Sequence, residues 1–134
     1  MIDQGIRDLW IPTGLILGFQ MTLFKWRIER EVSLIEKGPI YLVPSDYLSI
    51  AGMLCFVFGI FLFPISGILT KVPPTAFGLG VLLFVGQVLG LAGHYDLYNR
   101  RTRRAEYFPK QERIVIAGTL IVAFLYLVLQ FVRT

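Results

Sequence analysis

The sequence predicts an all-α membrane protein, a bundle of four transmembrane helices with antiparallel neighbours. Three observations predict it. Charge-free runs separate Asp46 from Lys71, Lys71 from Asp96, and Arg113 from Arg133, and a shorter one separates Asp8 from Lys25. The 134 residues are 55% hydrophobic and only 16% charged, too little polar surface to cover a soluble core of this size. The basic residues are sharply partitioned between connections, as in multi-pass membrane proteins. The whole chain, 1–134, reads as a single transmembrane domain with spans near 9–26, 47–69, 75–96 and 114–132.

The first run, Leu9 to Phe24, is the shortest; at ~1.5 Å per residue it reaches about 24 Å of a ~30 Å hydrocarbon layer. Arg7 and Lys25 can snorkel from its ends, and Trp10 and Trp26 stand where interfacial tryptophans belong. Met1 to Asp8 is not basic and no small-residue cleavage pattern follows, so this helix is expected to be a retained anchor. Pro12 falls in its first turn, where a missing N–H costs least. Gly14 and Gly18 form a Gly-x-x-x-Gly pair. Ile28, Val32 and Ile35 continue at helical spacing, with Arg27, Arg30, Glu31 and Lys37 on other faces. That pattern predicts an amphipathic extension at the membrane interface, ended by Lys37-Gly38-Pro39.

Helix two opens at Pro44-Ser45-Asp46, with Ser45 or Asp46 expected as its N-cap. Pro64 should kink or end its outer third. Thr70 to Pro74 is too short for anything but a tight turn, which makes helices two and three antiparallel neighbours. Helix three is glycine-rich. Gly86 and Gly90 form a second Gly-x-x-x-Gly pair and Gly93 follows on nearly the same side, the pattern of close backbone packing in lipid. Helix three is therefore expected at the bundle centre. Helix four, Ile114 to Val132, is leucine-rich and β-branched and is expected to face lipid.

Lys25, Arg27, Arg30 and Lys37 follow the first helix; Arg100, Arg101, Arg103, Arg104, Lys110 and Arg113 lie between the third and fourth. The opposite side has only Arg7, Lys71 and Arg133. The positive-inside rule places loops 27–46 and 97–113 in the cytoplasm and both termini outside, with a bacterial inner membrane as the expected location.

Few residues are equipped for chemistry. Gln20 and Gln87 are uncharged polar groups within spans, and Gln87 is expected to bond a carbonyl, Gln20 or Thr119. His94, the single histidine, lies two turns from Gln87 on the same face, with Asp96 behind it. It is suited to proton relay or to a hydrogen bond at a helix end. One histidine cannot supply a bis-histidine haem or a zinc site, and no cofactor or metal is expected. Arg100, Arg101, Arg103 and Arg104 sit where they meet anionic headgroups or a protein partner. The net charge of +4 is accounted for by topology, so no nucleic-acid partner is expected. Cys55 has no intramolecular disulfide partner.

Phosphate loops, nucleophile elbows and His-Glu-x-x-His are absent, and no pair of acids stands inside a span. The first expectation is a non-catalytic accessory or scaffold subunit of a larger membrane complex. The second is a homo-oligomeric channel or membrane-perturbing effector lined by Gln20, Gln87 and His94. The third is a lipid- or quinone-handling protein with a polar cytoplasmic site. The orientation is directly checkable. Reporter fusions at Lys37 and Arg103 should be active only in cytoplasmic form, and fusions at Lys71 only in external form; the reverse would invert the topology.

Overall fold

The protein was analysed as a computed structural model that describes residues 4–33, 42–68, 72–95 and 108–133. Among these residues the fold is all-α. A short α1 (Gln4–Asp8) leads into α2 (Trp10–Ser33). The next rod is composite: α3 (Pro44–Phe56), a π-helical segment (Val57–Leu62) and α4 (Phe63–Ser66). The last two rods are α5 (Pro73–His94) and α6 (Lys110–Arg133). Three helical stretches, Pro44–Ser66, Pro73–His94 and Lys110–Val132, are long and apolar enough to cross a membrane. At 24 residues α2 has the length but carries Lys25, Arg27, Glu29, Arg30 and Glu31 toward its end.

Local chemistry explains the boundaries. Pro44 occupies the first turn of α3, and the N-cap is Val43 rather than Ser45 or Asp46. Asp46 instead reaches back, its Oδ2 accepting the Val43 N–H at 3.0 Å. Pro64 does not end the rod where it stands. It lacks an N–H and crowds the carbonyl four residues earlier, and the preceding turns are widened into a π-helix. The rod closes two residues after Pro64. Gly67 takes a left-handed conformation at φ 72°, and Gly67 and Ile68 donate to Pro64 and Phe63 carbonyls, a Schellman stop. The fourth helix begins at Lys110, four residues earlier than expected, and this brings Glu112 into its first turn.

α5 is the central rod, packed against both α3 and α6. Its glycines decide how closely. A Cβ on Gly80 would strike the Phe56 ring, one on Gly86 the Thr119 side chain, and one on Gly90 the Ser45 hydroxyl. On Gly93 it would meet the backbone of Gln111 and Glu112 at 3.1 and 3.0 Å. Lipid offers no hydrophobic drive for helix association, so close van der Waals contact has to supply it. The apolar core sits toward the α3–α5 turn: Phe56, Ile60 and Ala76 are buried, with Trp10, Ile16, Leu17 and Phe61 against them. Tyr126 crosses to α5, its hydroxyl 3.4 Å from the Pro74 carbonyl. Most of α6 turns apolar side chains outward, among them Ile121, Phe124, Leu125 and Phe131.

The first-helix glycines behave differently. A Cβ on Gly14 or Gly18 meets nothing within 4 Å. Gly86→Val should therefore destabilise the fold by ~1–3 kcal/mol through overpacking, while Gly14→Ala should leave thermal unfolding in micelles unchanged or slightly raised. Equal effects at the two sites would contradict the packing described.

Candidate functional site: a buried polar core

The interior of the bundle is polar where its exterior is apolar. The three buried residues of α2 are Thr13, Gln20 and Arg27, spaced by seven. Seven residues are nearly two helical turns, so they form one inward stripe. Ser45, Asp46 and Ser49 on α3, Gln87 on α5 and Glu112 on α6 are all buried as well.

At the charged end, four elements meet: α2, α3, α5 and α6. Glu112 is fully buried, and its Oε1 accepts both the backbone N–H and the hydroxyl of Ser45, the former at 2.9 Å. Its Oε2 lies 2.8 Å from His94 Nδ1. Ser45 is the second residue of α3, so its N–H is one of the donors a helix start leaves unpaired; a side chain from α6 satisfies it. Glu112 itself stands in the first turn of α6 and Asp46 in that of α3. Both carboxylates thus rest against positive helix ends.

Arg27 is the counterpart from α2. It is 1% exposed, its Nη1 pairs with Glu31, and its Nε lies 3.8 Å from Asp46 Oδ2. Tyr95 roofs the group: the guanidiniums of Arg27 and Arg30 lie 5.7 and 4.5 Å from its ring centre, and His94 packs edge-on at 5.3 Å. Burial pushes the Tyr95 phenol above its ordinary value, against the opposing pull of Arg27 and Arg30. Two glycines make this assembly possible. Gly90 leaves room for the Ser45 side chain, and Gly93 lets the α6 backbone approach close enough for Glu112 to reach α3.

Of the residues singled out from the sequence, Gln20, Gln87 and His94 all face the protomer's own interior. Gln20 Nε2 donates to the Ser49 carbonyl at 3.1 Å. Gln87 is buried without the expected bond, since neither of its amide atoms has a partner. The Thr119 hydroxyl is already donated to the Val115 carbonyl, and the Gln20 amide to Ser49. Gly86, Gly90 and Gly93 are at close helix contacts, whereas Gly14 and Gly18 face away from the rest of the chain. Asp96, Arg100, Arg101, Arg103 and Arg104 lie outside the described residues.

Sequence reasoning missed Arg27, Asp46 and Glu112. From the sequence Arg27 reads as one charge of the amphipathic extension, Asp46 as a helix cap and Glu112 as loop. Asp46 and Glu112, which the sequence places just ahead of the second and fourth spans, both lie in the interior of the bundle. The seven-residue spacing of Thr13, Gln20 and Arg27 was the signal available. Among the described residues no three His, Cys, Asp or Glu side chains gather as a metal site. No family model, no curated protein and no solved structure matches this chain.

Breaking a buried pair leaves a stranded charge. Arg27→Met should cost about 3–5 kcal/mol, and the double variant Arg27→Met/Asp46→Leu should regain much of it. Reversible denaturation in micelles reads both; a single variant no worse than the double would show that the pair is not desolvated.

Proposed function

We propose that this chain is a four-span, non-catalytic membrane protein that serves as an accessory or scaffold subunit of a larger membrane complex. The observation that carries the reading is the division between its faces. Arg27, Asp46, His94 and Glu112 at the charged end are turned inward, Arg27 toward Asp46 and His94 toward Glu112, which commits them to holding α2, α3, α5 and α6 together. The outer stripe of α2 is uncommitted. Ile11 and Leu15 are 76% and 62% exposed, and Gly14 and Gly18 lie beside them at helical spacing with none of the described residues against them. A Gly-x-x-x-Gly stripe in an apolar helix admits the close approach of a neighbouring helix.

In this reading α2 is the fourth span. Its charged last third, from Lys25 onward, runs into the cytoplasmic interface. The segments 27–46 and 97–113, helix ends together with their connections, are on the cytoplasmic side, both termini are external, and a bacterial inner membrane is the location. Arg100, Arg101, Arg103 and Arg104 then meet anionic headgroups or the acidic surface of the partner. The homo-oligomeric channel is disfavoured, because Gln20, Gln87 and His94 point into the protomer rather than toward an axis between copies. A cytoplasmic-side site for lipid or quinone is weakened by the engagement of His94 with Glu112.

Native mass spectrometry after gentle extraction tests the proposal. The wild type should carry a heavier partner at fixed stoichiometry. Gly14→Leu/Gly18→Leu should lose that partner while keeping the wild-type melting temperature. A wild type found only as a monomer, or as a ring of identical copies, would overturn it.

A further inference from the structure

The polar core continues inward from the ion pairs to a layer that those pairs do not explain. Leu83 meets Gly52, and Gly90 meets Ser45, across the seam of α3 and α5. Gln87 falls between Leu83 and Gly90 on α5, and Ser49 between Ser45 and Gly52 on α3, so the register sets Gln87 opposite Ser49. Gln20 reaches the same level from α2, bonded to the Ser49 carbonyl and lying 2.7 Å from where a Gly52 Cβ would stand. Three helices thus deliver three polar side chains to one layer, all of them fully buried.

That layer is unsatisfied. Gln20 Oε1, Ser49 Oγ, Gln87 Oε1 and Gln87 Nε2 have no hydrogen-bond partner, and toward the charged end neither do Asp46 Oδ1, Arg27 Nη2 or Arg27 Nε, the last only within ion-pair reach of Asp46. Each orphan buried in a low-dielectric interior carries an uncompensated desolvation cost. The set mixes donors and acceptors. A bound cation would satisfy only the acceptors and an anion only the donors, whereas water satisfies both. At the charged end the column reaches partly exposed groups, His94 at 11% and Glu31 at 19%. At the other end Phe56, packed on Gly80, begins the apolar cluster with Ile60 and Ala76.

We propose that this column is a hydrated inlet. Water held by Gln20, Ser49 and Gln87 connects the middle of the bundle to the aqueous phase at the charged end, the cytoplasmic end in the orientation proposed above. It gives protons access to the membrane interior from one side only. Each water accepts a proton on its oxygen and releases another to its neighbour, with no change of oxidation state. The ionisable groups facing the mouth are Arg27, Arg30 and Glu31 from α2, Asp46 from α3, His94 and Tyr95 from α5, and Glu112 from α6. The Phe56–Ile60–Ala76 cluster closes the path beyond.

Side-chain hydrogen exchange tests this in the intact chain. The protein is labelled with 15N-glutamine, placed in nanodiscs and transferred to D2O, with Gln20→Met and Gln87→Met assigning the signals. Exchange of the Gln20 and Gln87 side-chain amides should be at least ~100-fold faster than that of the Gln87 backbone amide, which exchanges only when the helix opens. Ser49→Val, which fills the layer, should slow the Gln87 side chain at least ~10-fold, while Ser49→Ala should leave it fast. Side-chain amides in the wild type as slow as the backbone amide would mean a dry layer, and would overturn the inlet without recourse to any variant.

Discussion

The structure depends on placing two carboxylates, Asp46 and Glu112, in the interior of a bundle whose outer faces are apolar. An isolated buried carboxylate is prohibitively costly, so every nearby element is arranged to compensate it. The N-terminal turns of α3 and α6 turn their positive ends on the two acids. Arg27 arrives from α2 and His94 from α5. Ser45 gives Glu112 two donors at once. Four separate rods are thus tied at one level, and the tie depends on absent side chains as much as on present ones. A methyl group on Gly90 would displace Ser45, and one on Gly93 would push α6 away.

The two ends of the bundle use different physics. Toward the α3–α5 turn, Phe56, Ile60 and Ala76 pack by contact alone, and the π-helical turns ahead of Pro64 adjust the rod to that packing. Toward the charged end, cohesion is electrostatic and directional. Between them lies the layer of Gln20, Ser49 and Gln87, buried as deeply as the apolar core yet incompletely bonded. Interior polarity of this kind in a membrane bundle fixes which faces turn inward, because a rotated helix would expose the same groups to lipid. The apolar outer faces of α2 and α6 carry no such constraint and are free to meet lipid or another protein.

Much of the fold was legible in the sequence because its signals are one-dimensional. Apolar run lengths located the three helices long and apolar enough to span, the glycines of α5 marked the close contacts, and Pro64 marked where the second rod departs from a regular α-helix. The boundaries were less legible. Glu112 was read as loop because a charged residue ahead of an apolar run looks like a solvated flank; the helix in fact starts at Lys110. The bond expected for Gln87 failed for a related reason: its supposed partners donate elsewhere, Thr119 to the Val115 carbonyl of its own helix and Gln20 across to the Ser49 carbonyl of α3.

By itself the sequence determined the all-α character, the long apolar helices, the central place of the glycine-rich one and the uneven distribution of basic residues. These follow from composition and spacing along one chain. Only the tertiary structure decided that Arg27, Asp46, Glu112 and His94 form one buried group, that Gln20 and Gln87 face inward, and that Gly14 and Gly18 face out. Those outcomes depend on how each helix is rotated about its axis and on the register between helices. Residues separated by 67 positions, as Ser45 and Glu112 are, leave no periodic trace of a contact that exists only once the rods are packed.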